Sequence, residues 1–139
     1  MTVSREETQR IIDRPRAAAG GIMMRRDYLV PDCFEEQAAR LGERRALVYE
    51  GEVVTWAQLE QRSAHYARVA LGLGLGAGDV AAVMIENRPE FFYAWLGLAQ
   101  IGVIVGLINT SAVGTALSHA LRVTGAGLLF IGDECMAQL

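Results

Sequence analysis

The 139-residue chain contains no lysine: all 13 of its basic residues are arginine. That absence removes every chemistry that needs a lysine from these residues, including the Walker-type phosphate loop, Schiff-base catalysis and the protein-kinase fold. Aromatic residues are scarce at 7%, and there are three prolines and two cysteines. Cys33 and Cys135 lie far apart, form no CxxC pair and have no histidine at metal-ligand spacing, so they read as two reduced thiols. Positive charge does not dominate either: the net charge of −3 argues against a nucleic-acid footprint. What is abundant is apolar: 52% of residues are hydrophobic against 21% charged, which excludes intrinsic disorder and supplies a core.

Charge is unevenly spread. Residues 1–31 carry net +2 and the remainder net −5. The first 20 residues hold no continuous apolar stretch, and Glu6, Glu7 and Asp13 argue against a transit peptide, so the expected location is cytoplasmic, with peripheral membrane contact as the alternative. Ser4 to Glu7 can open a short helix that must stop before Pro15, and Ala17-Ala18-Ala19-Gly20-Gly21 reads as a linker. Residues 1–30 are therefore expected to be a flexible basic leader and residues 31–139 the folded unit.

From Pro31 the punctuation becomes regular. Asp32 with Glu35 forms a capping pair ahead of Phe34, Ala38 and Leu41 at helical spacing, ended by Gly42. Ala46-Leu47-Val48-Tyr49 and Val53-Val54, joined at Glu50-Gly51-Glu52, predict a hairpin. Thr55 with Gln58 caps a helix that sets Leu59, Ser63, Tyr66, Ala67, Ala70 and Leu71 on its inner side. Three strands, Val80 to Ile85, Val103 to Val105 and Leu128 to Ile131, alternate with helices opened by Asn87 (with Glu90) and by Val113, the latter ending at Gly125; Asp133 begins another. This alternation predicts an α/β fold of parallel βαβ units, with all three strands buried on both faces, preceded by a helix and a β-hairpin.

Several patterns invite functional readings that the local context removes. Gly72, Gly74 and Ala77 satisfy a loose dinucleotide-binding pattern, but helix precedes strand there, so the glycines end a helix. Phe91 to Ile108 is an 18-residue apolar run interrupted only by Gln100. As a helix it would reach ~27 Å against ~30 Å of hydrocarbon. Its three glycines and β-branched second half predict a buried helix turning at Gly102 into a buried strand. His65 and His119 lie on polar helix positions without a second ligand nearby, and no catalytic triad or metal cluster is visible.

Residues 31 to 139 resemble the opening of an adenylate-forming (AMP-binding) acyl-CoA synthetase, in the branch of fatty acid transport proteins and very-long-chain acyl-CoA synthetases. The resemblance rests on Ala46 to Gly51, Thr55-Trp56-Ala57-Gln58-Leu59, Gly76 to Ala81, Leu107-Ile108-Asn109-Thr110 and Leu117 to Leu121 with His119. Its most specific element is Glu86-Asn87-Arg88-Pro89-Glu90-Phe91 followed by Trp95 to Ala99. The chain departs from the branch after Thr110, where Ser111-Ala112-Val113 stands in place of a common Asn-Leu-Arg and a positive charge is lost.

The resemblance implies activation of a fatty acid by ATP and Mg2+ to an acyl-adenylate, then transfer to coenzyme A. It also implies that the phosphate loop, the adenine and ribose motifs and the catalytic lysine of such enzymes lie beyond position 139. On that basis the chain is expected to be an incomplete N-terminal α/β subdomain with no catalytic residue and no metal ligand of its own. Asn109 and Thr110, at the carboxyl end of a parallel strand, are the substrate-pocket candidates, with a capping loop as their alternative role. Fatty acid is the expected substrate, reached through the remainder of the enzyme. Two readings without catalysis stand beside this one: a membrane-associated fatty-acid uptake component, and a truncated partner that self-associates through an unfinished sheet.

Overall fold

The computed structural model describes residues 28–139 together with Glu6, Glu7, Gln9, Arg10 and Asp13. Those five leader residues are helical, with Gln9 Nε2 donating to Asp13 Oδ1 at 2.9 Å, as the leader helix requires. The Ala17 to Gly21 linker falls outside the described residues.

Helix α1 is Val30–Leu41, with Pro31 in its first turn, where a missing N–H costs nothing. Asp32 caps it in a different way from the sequence expectation. It sits at the third helical position and its carboxylate accepts from the Leu29 N–H at 2.7 Å, so the helix starts before Asp32 rather than after it. Phe34 and Ala38 are buried, and Gly42 at φ +38° ends the helix. Strands β1 (Arg45–Tyr49) and β2 (Glu52–Thr55) pair antiparallel, with Val48 opposite Val53. Glu50 and Gly51 form the two-residue turn, both at positive φ (49° and 87°), which matches the right-handed twist of a tight hairpin.

Helix α2 (Trp56–Gly72) opens with the reciprocal cap read from sequence: Gln58 N–H donates to Thr55 Oγ1 at 3.2 Å, and Thr55 N–H to Gln58 Oε1 at 3.0 Å. Leu59, Ser63, Ala67 and Ala70 are buried, whereas Leu71 is 53% exposed. Leu71 falls in the last turn of α2, beyond the stretch that packs on its neighbours. Gly74 at φ +87° then turns the chain, so the glycine-rich segment ends a helix and leads into a strand, the reverse of the strand-to-helix order of a dinucleotide-binding turn.

The remaining elements are β3 (Val80–Met84), α3 (Pro89–Gln100), β4 (Ile104–Leu107), α4 (Gly114–Thr124), β5 (Leu128–Ile131) and a 3₁₀ helix, Asp133–Gln138. Gly102 at φ +76° divides the apolar run into α3 and β4 as expected, and no helix among the described residues is long and apolar enough to cross a membrane. The sheet is parallel in the order β4-β3-β5, with Val80 opposite Ile104 and Met84 opposite Ile131. Strand β3 is the most enclosed of the three: beyond the half-buried Val80, Ala81 to Met84 are at most 1% exposed, whereas β5 is half-buried along its length. Strand β4 departs from the expected two-sided burial, with Ile104 and Leu107 58% and 54% exposed, because it is an edge strand with β3 as its single neighbour.

Helices α2 and α3 cover one face of the sheet through Ala70, Ala81, Val83, Ala94 and Leu98. Helix α4 and the 3₁₀ helix cover the other through Ala82, Met84, Ile108, Leu117 and Cys135. A third cluster, Phe34, Val54, Leu59, Tyr93 and Leu96, binds α1 and the hairpin to the α2–α3 pair. That pair crosses at Gly97, where a Cβ would overlap the carbonyl oxygen of Ser63, a fully buried residue. Backbone, which cannot rotate away, lies on both sides of this contact. Replacing Gly97→Ala should therefore cost about 2–3 kcal/mol by urea denaturation. Gly72→Ala, whose Cβ would meet nothing within 4 Å, should be neutral or stabilising by up to ~1 kcal/mol. Equal effects of the two substitutions would remove the crossing from the account.

Candidate functional site

Parallel strands in register bring their carboxyl ends to one edge, and there the described residues form a polar concavity. After β3 come Ile85, Glu86 and Asn87; after β4 come Ile108, Asn109 and Thr110; with Phe91 of α3 they line a cleft of about 470 Å³. Backbone bonds hold both loops against the strands: Ile108 N–H donates to the Val83 carbonyl at 2.9 Å, and Gly132 N–H to the Met84 carbonyl at 2.9 Å.

Asn109 and Thr110, the two positions nominated from sequence, both border this cleft. Asn109 Oδ1 accepts from the Ser111 N–H at 2.9 Å and its carbonyl accepts from Ala112 N–H at 3.0 Å, a side-chain-closed turn rather than a helix cap. Its amide oxygen is thus committed to the loop, leaving the amide NH2 as the group it can offer a ligand. The Thr110 carbonyl accepts from Gln138 Nε2 at 3.5 Å, which ties the 3₁₀ helix to the same loop.

Asn87 has a different role from the one expected of it. It does not cap α3; the N-cap position is Arg88, without a side-chain cap bond, and Pro89 follows. The proline's fixed φ starts the helix unaided, and this releases Asn87 to line the cleft. Arg88 meanwhile forms a clasp that sequence reasoning missed. Its Nη2 lies 3.0 Å from Glu134 Oε2 and 3.2 Å from Asp133 Oδ1, its Nε 3.3 Å from Glu134 Oε1, and its Nη1 3.4 Å from Glu90 Oε2. Glu134 Oε1 also accepts from the Glu86 N–H at 2.9 Å. The loops after β3 and β5 are stitched together by this one carboxylate. No short-range pattern links residues 46 positions apart, and the sole available signal was the Asn-Arg-Pro-Glu motif itself.

The Glu86 N–H, then Glu134's own N–H and the Arg88 guanidinium, outweigh partial burial and hold the Glu134 carboxyl below its ordinary 4.5. Burial alone would lower the basicity of Arg88, but Glu134, Glu90 and Asp133 more than reverse this, so Arg88 stays cationic. Burial first, and then the nearby Glu134 and Glu86 carboxylates, raise the Cys135 thiol, an arrangement unsuited to a nucleophile. His65 and His119 are both exposed, as read from sequence.

Among the described residues no group of three or more His, Cys, Asp or Glu is placed to hold a metal ion. Glu86 is the one acidic residue that lines the cleft, and the nearby Asp133 and Glu134 are engaged by Arg88. Around the cleft the described residues thus present no ligand cluster for Mg2+.

Residues 34–139 match the AMP-binding enzyme family. The chain belongs to that family. It is 40% identical over 110 residues to rat long-chain fatty acid transport protein 1, covering 78% of this chain and 17% of that protein. It is 30% identical over 104 residues to the medium/long-chain-fatty-acid–CoA ligase FadD6 of Mycobacterium tuberculosis, covering 75% and 17%. The chain thus spans less than a fifth of the length of these curated relatives. Among solved structures it is similar to the N-terminal subdomain of Klebsiella oxytoca NpsA in complex with anthranilyl-AMSN, with TM-score 0.71 and 30% identity over 75% of this chain and 27% of that one. It is likewise similar to the o-succinylbenzoate CoA synthetase MenE of Bacillus subtilis, with TM-score 0.69 and 31% identity over 72% and 21%. The fold is therefore that of the N-terminal portion of an adenylate-forming enzyme, as the resemblance implied.

The lowered Glu134 carboxyl has a defined consequence. A group whose folded pKa is depressed adds stability that is present above its unfolded pKa and is lost as pH falls through the folded value. Glu134→Gln should therefore be less stable than the parent by a steady margin above the ordinary carboxylate value of 4.5, and this margin should shrink as the pH falls below it. Thermal melts of the two chains on both sides of that value test it, and a margin that stays constant as the pH falls would contradict the clasp.

Proposed function

We propose that this chain serves as the N-terminal part of an ATP-dependent long-chain or very-long-chain fatty acid–CoA ligase, which forms an acyl-adenylate and then a thioester. The observation that carries this reading is the continuous match of residues 34–139 to AMP-binding enzymes, with relatives named for long-chain fatty acid transport and fatty acid–CoA ligation. ATP, Mg2+ and coenzyme A are the reactants of such a ligase, and the groups that hold the phosphates and the metal belong outside these residues.

The contribution of this chain is a rigid wall. Ile85, Phe91 and Ile108 supply an apolar floor, while the amides of Asn87 and Asn109 and the hydroxyl of Thr110 supply hydrogen-bonding groups. The Glu86 carboxylate borders the same cleft and repels a bare anion. This lining favours a neutral polar group, such as an acyl carbonyl or an amide, over a free carboxylate. Adenylation by the 139-residue chain alone is not expected, because it has neither the lysine nor the phosphate loop.

A graft tests this reading. The equivalent segment of FadD6 is replaced by residues 34–139, and oleate-, ATP- and CoA-dependent thioester formation is followed. We expect activity within about tenfold of the parent ligase, a further loss of up to about tenfold in kcat/KM on Asn109→Ala, and no fatty-acid-dependent ATP–pyrophosphate exchange by the isolated chain. A graft that folds but does not adenylate, or robust exchange by the isolated chain, would overturn it.

A further inference from the structure

Away from the carboxyl-edge cleft, the outer side of α2 borders another concavity. It encloses about 390 Å³ and is lined by Gln61, Arg62, His65, Tyr66, Arg68, Glu90 and Tyr93. No residue is shared with the first cleft. Three of its side chains, Arg62, His65 and Arg68, stand at i, i+3 and i+6 of one helix, each beside the next, so they form a row that winds over about 120° of its circumference and a rise of about 9 Å.

Two properties set this row apart from an ordinary solvated helix face. First, neither guanidinium is committed to an ion pair: those among the described residues all belong to Arg88, and the Glu50 and Glu52 that border a neighbouring concavity with Arg62 make none with it. On a helix surface, arginines are commonly matched by carboxylates three or four positions away; here those places hold Gln58, Leu59, His65 and Tyr66 around Arg62, and Ala64, His65, Leu71 and Gly72 around Arg68. Second, Arg62 is pre-positioned. Its Nη1 donates to Tyr93 Oη at 2.8 Å and its guanidinium carbon lies 5.3 Å from the centroid of the Tyr93 ring. Stacking and one hydrogen bond fix the plane of the fork, and its remaining N–H groups stay free for a ligand. The one carboxylate in the lining, Glu90, is engaged by Arg88 at 3.4 Å.

We propose that the Arg62–His65–Arg68 row is a binding site for a phosphate group, carried either by a soluble phosphate ester or by a lipid headgroup. A carboxylate has two oxygens and fills one guanidinium fork. A phosphate has three or four, enough to bridge donors on successive turns of α2. Nucleic acid is a poor fit because the row holds two arginines on a chain of net charge −3. The site goes beyond the ligase reading and does not depend on it, since no residue of the proposed substrate cleft takes part.

The chain has two histidines, and this gives a direct readout. His65 lies in the row, whereas His119 is exposed on α4, which packs on the opposite face of the sheet. Proton NMR of the imidazole signals is followed during titration of the full chain with sodium pyrophosphate at constant ionic strength. We expect a saturable shift at His65, none at His119, and affinity weakened about fivefold by Arg68→Gln, a substitution at an exposed residue without an ion pair. Arg62→Gln should act in the same direction. In parallel, cosedimentation is measured with phosphatidylcholine vesicles with and without phosphatidic acid. Binding that requires phosphatidic acid and falls in Arg68→Gln assigns the phosphate to a lipid. A pyrophosphate response without vesicle binding assigns it to a soluble ester, and either result supports the site. No saturable response to either probe, equal shifts at both histidines, or binding indifferent to Arg68→Gln would overturn it.

Discussion

Everything in this structure is arranged around the enclosure of one strand. Ala81, Ala82, Val83 and Met84 of β3 are at most 1% exposed, with β4 and β5 paired to their two edges and helices packed above and below. The two alanines make this feasible, because each opens space on one face for an approaching helix while keeping the ladder intact. Gly106 of β4 does the same one strand over, where a Cβ would press into the methyl of Thr124 on α4. The parallel register that β3 imposes on both neighbours brings three carboxyl ends to the same edge. The cleft and the Arg88–Glu134 clasp are consequences of that alignment.

Local features were legible in the sequence wherever a few adjacent residues determine the outcome. The Thr55–Gln58 cap, the Glu50-Gly51 turn, the Gly125 terminator at φ +64° and the bounds of β5 all follow from chemistry within four or five positions. The expectations that fell short depended on what lies across the fold. Asn87 looks like a cap until Pro89 is seen to start α3 by itself. Leu71 continues the apolar stripe of α2 but lies past the end of its packing surface. The apolar character of β4 cannot report that one of its edges is open, because strand order is not written locally.

The candidate site divides in the same way. Asn109 and Thr110 were accessible from a general property of parallel sheets, which expose loops at the carboxyl ends of their strands. Their partners Glu86 and Asn87 appear in the same motif that carries the family resemblance, yet only the fold sets them opposite Asn109. The clasp that steadies the wall joins Arg88 to Glu134 across 46 residues and becomes visible only when β3 and β5 are side by side. Membership of the AMP-binding family rests on the continuous match of residues 34–139, which takes in both the cleft and the clasp.

The organising role of β3 is open to direct measurement by native-state amide hydrogen exchange. The account predicts that the amides of Ala81 to Met84 are the slowest in the chain and exchange only with global unfolding, with the hairpin Arg45–Thr55 and the outer edge of β4 opening well before them. Protection concentrated in α2 and α3, with β3 exchanging as fast as the hairpin, would contradict it.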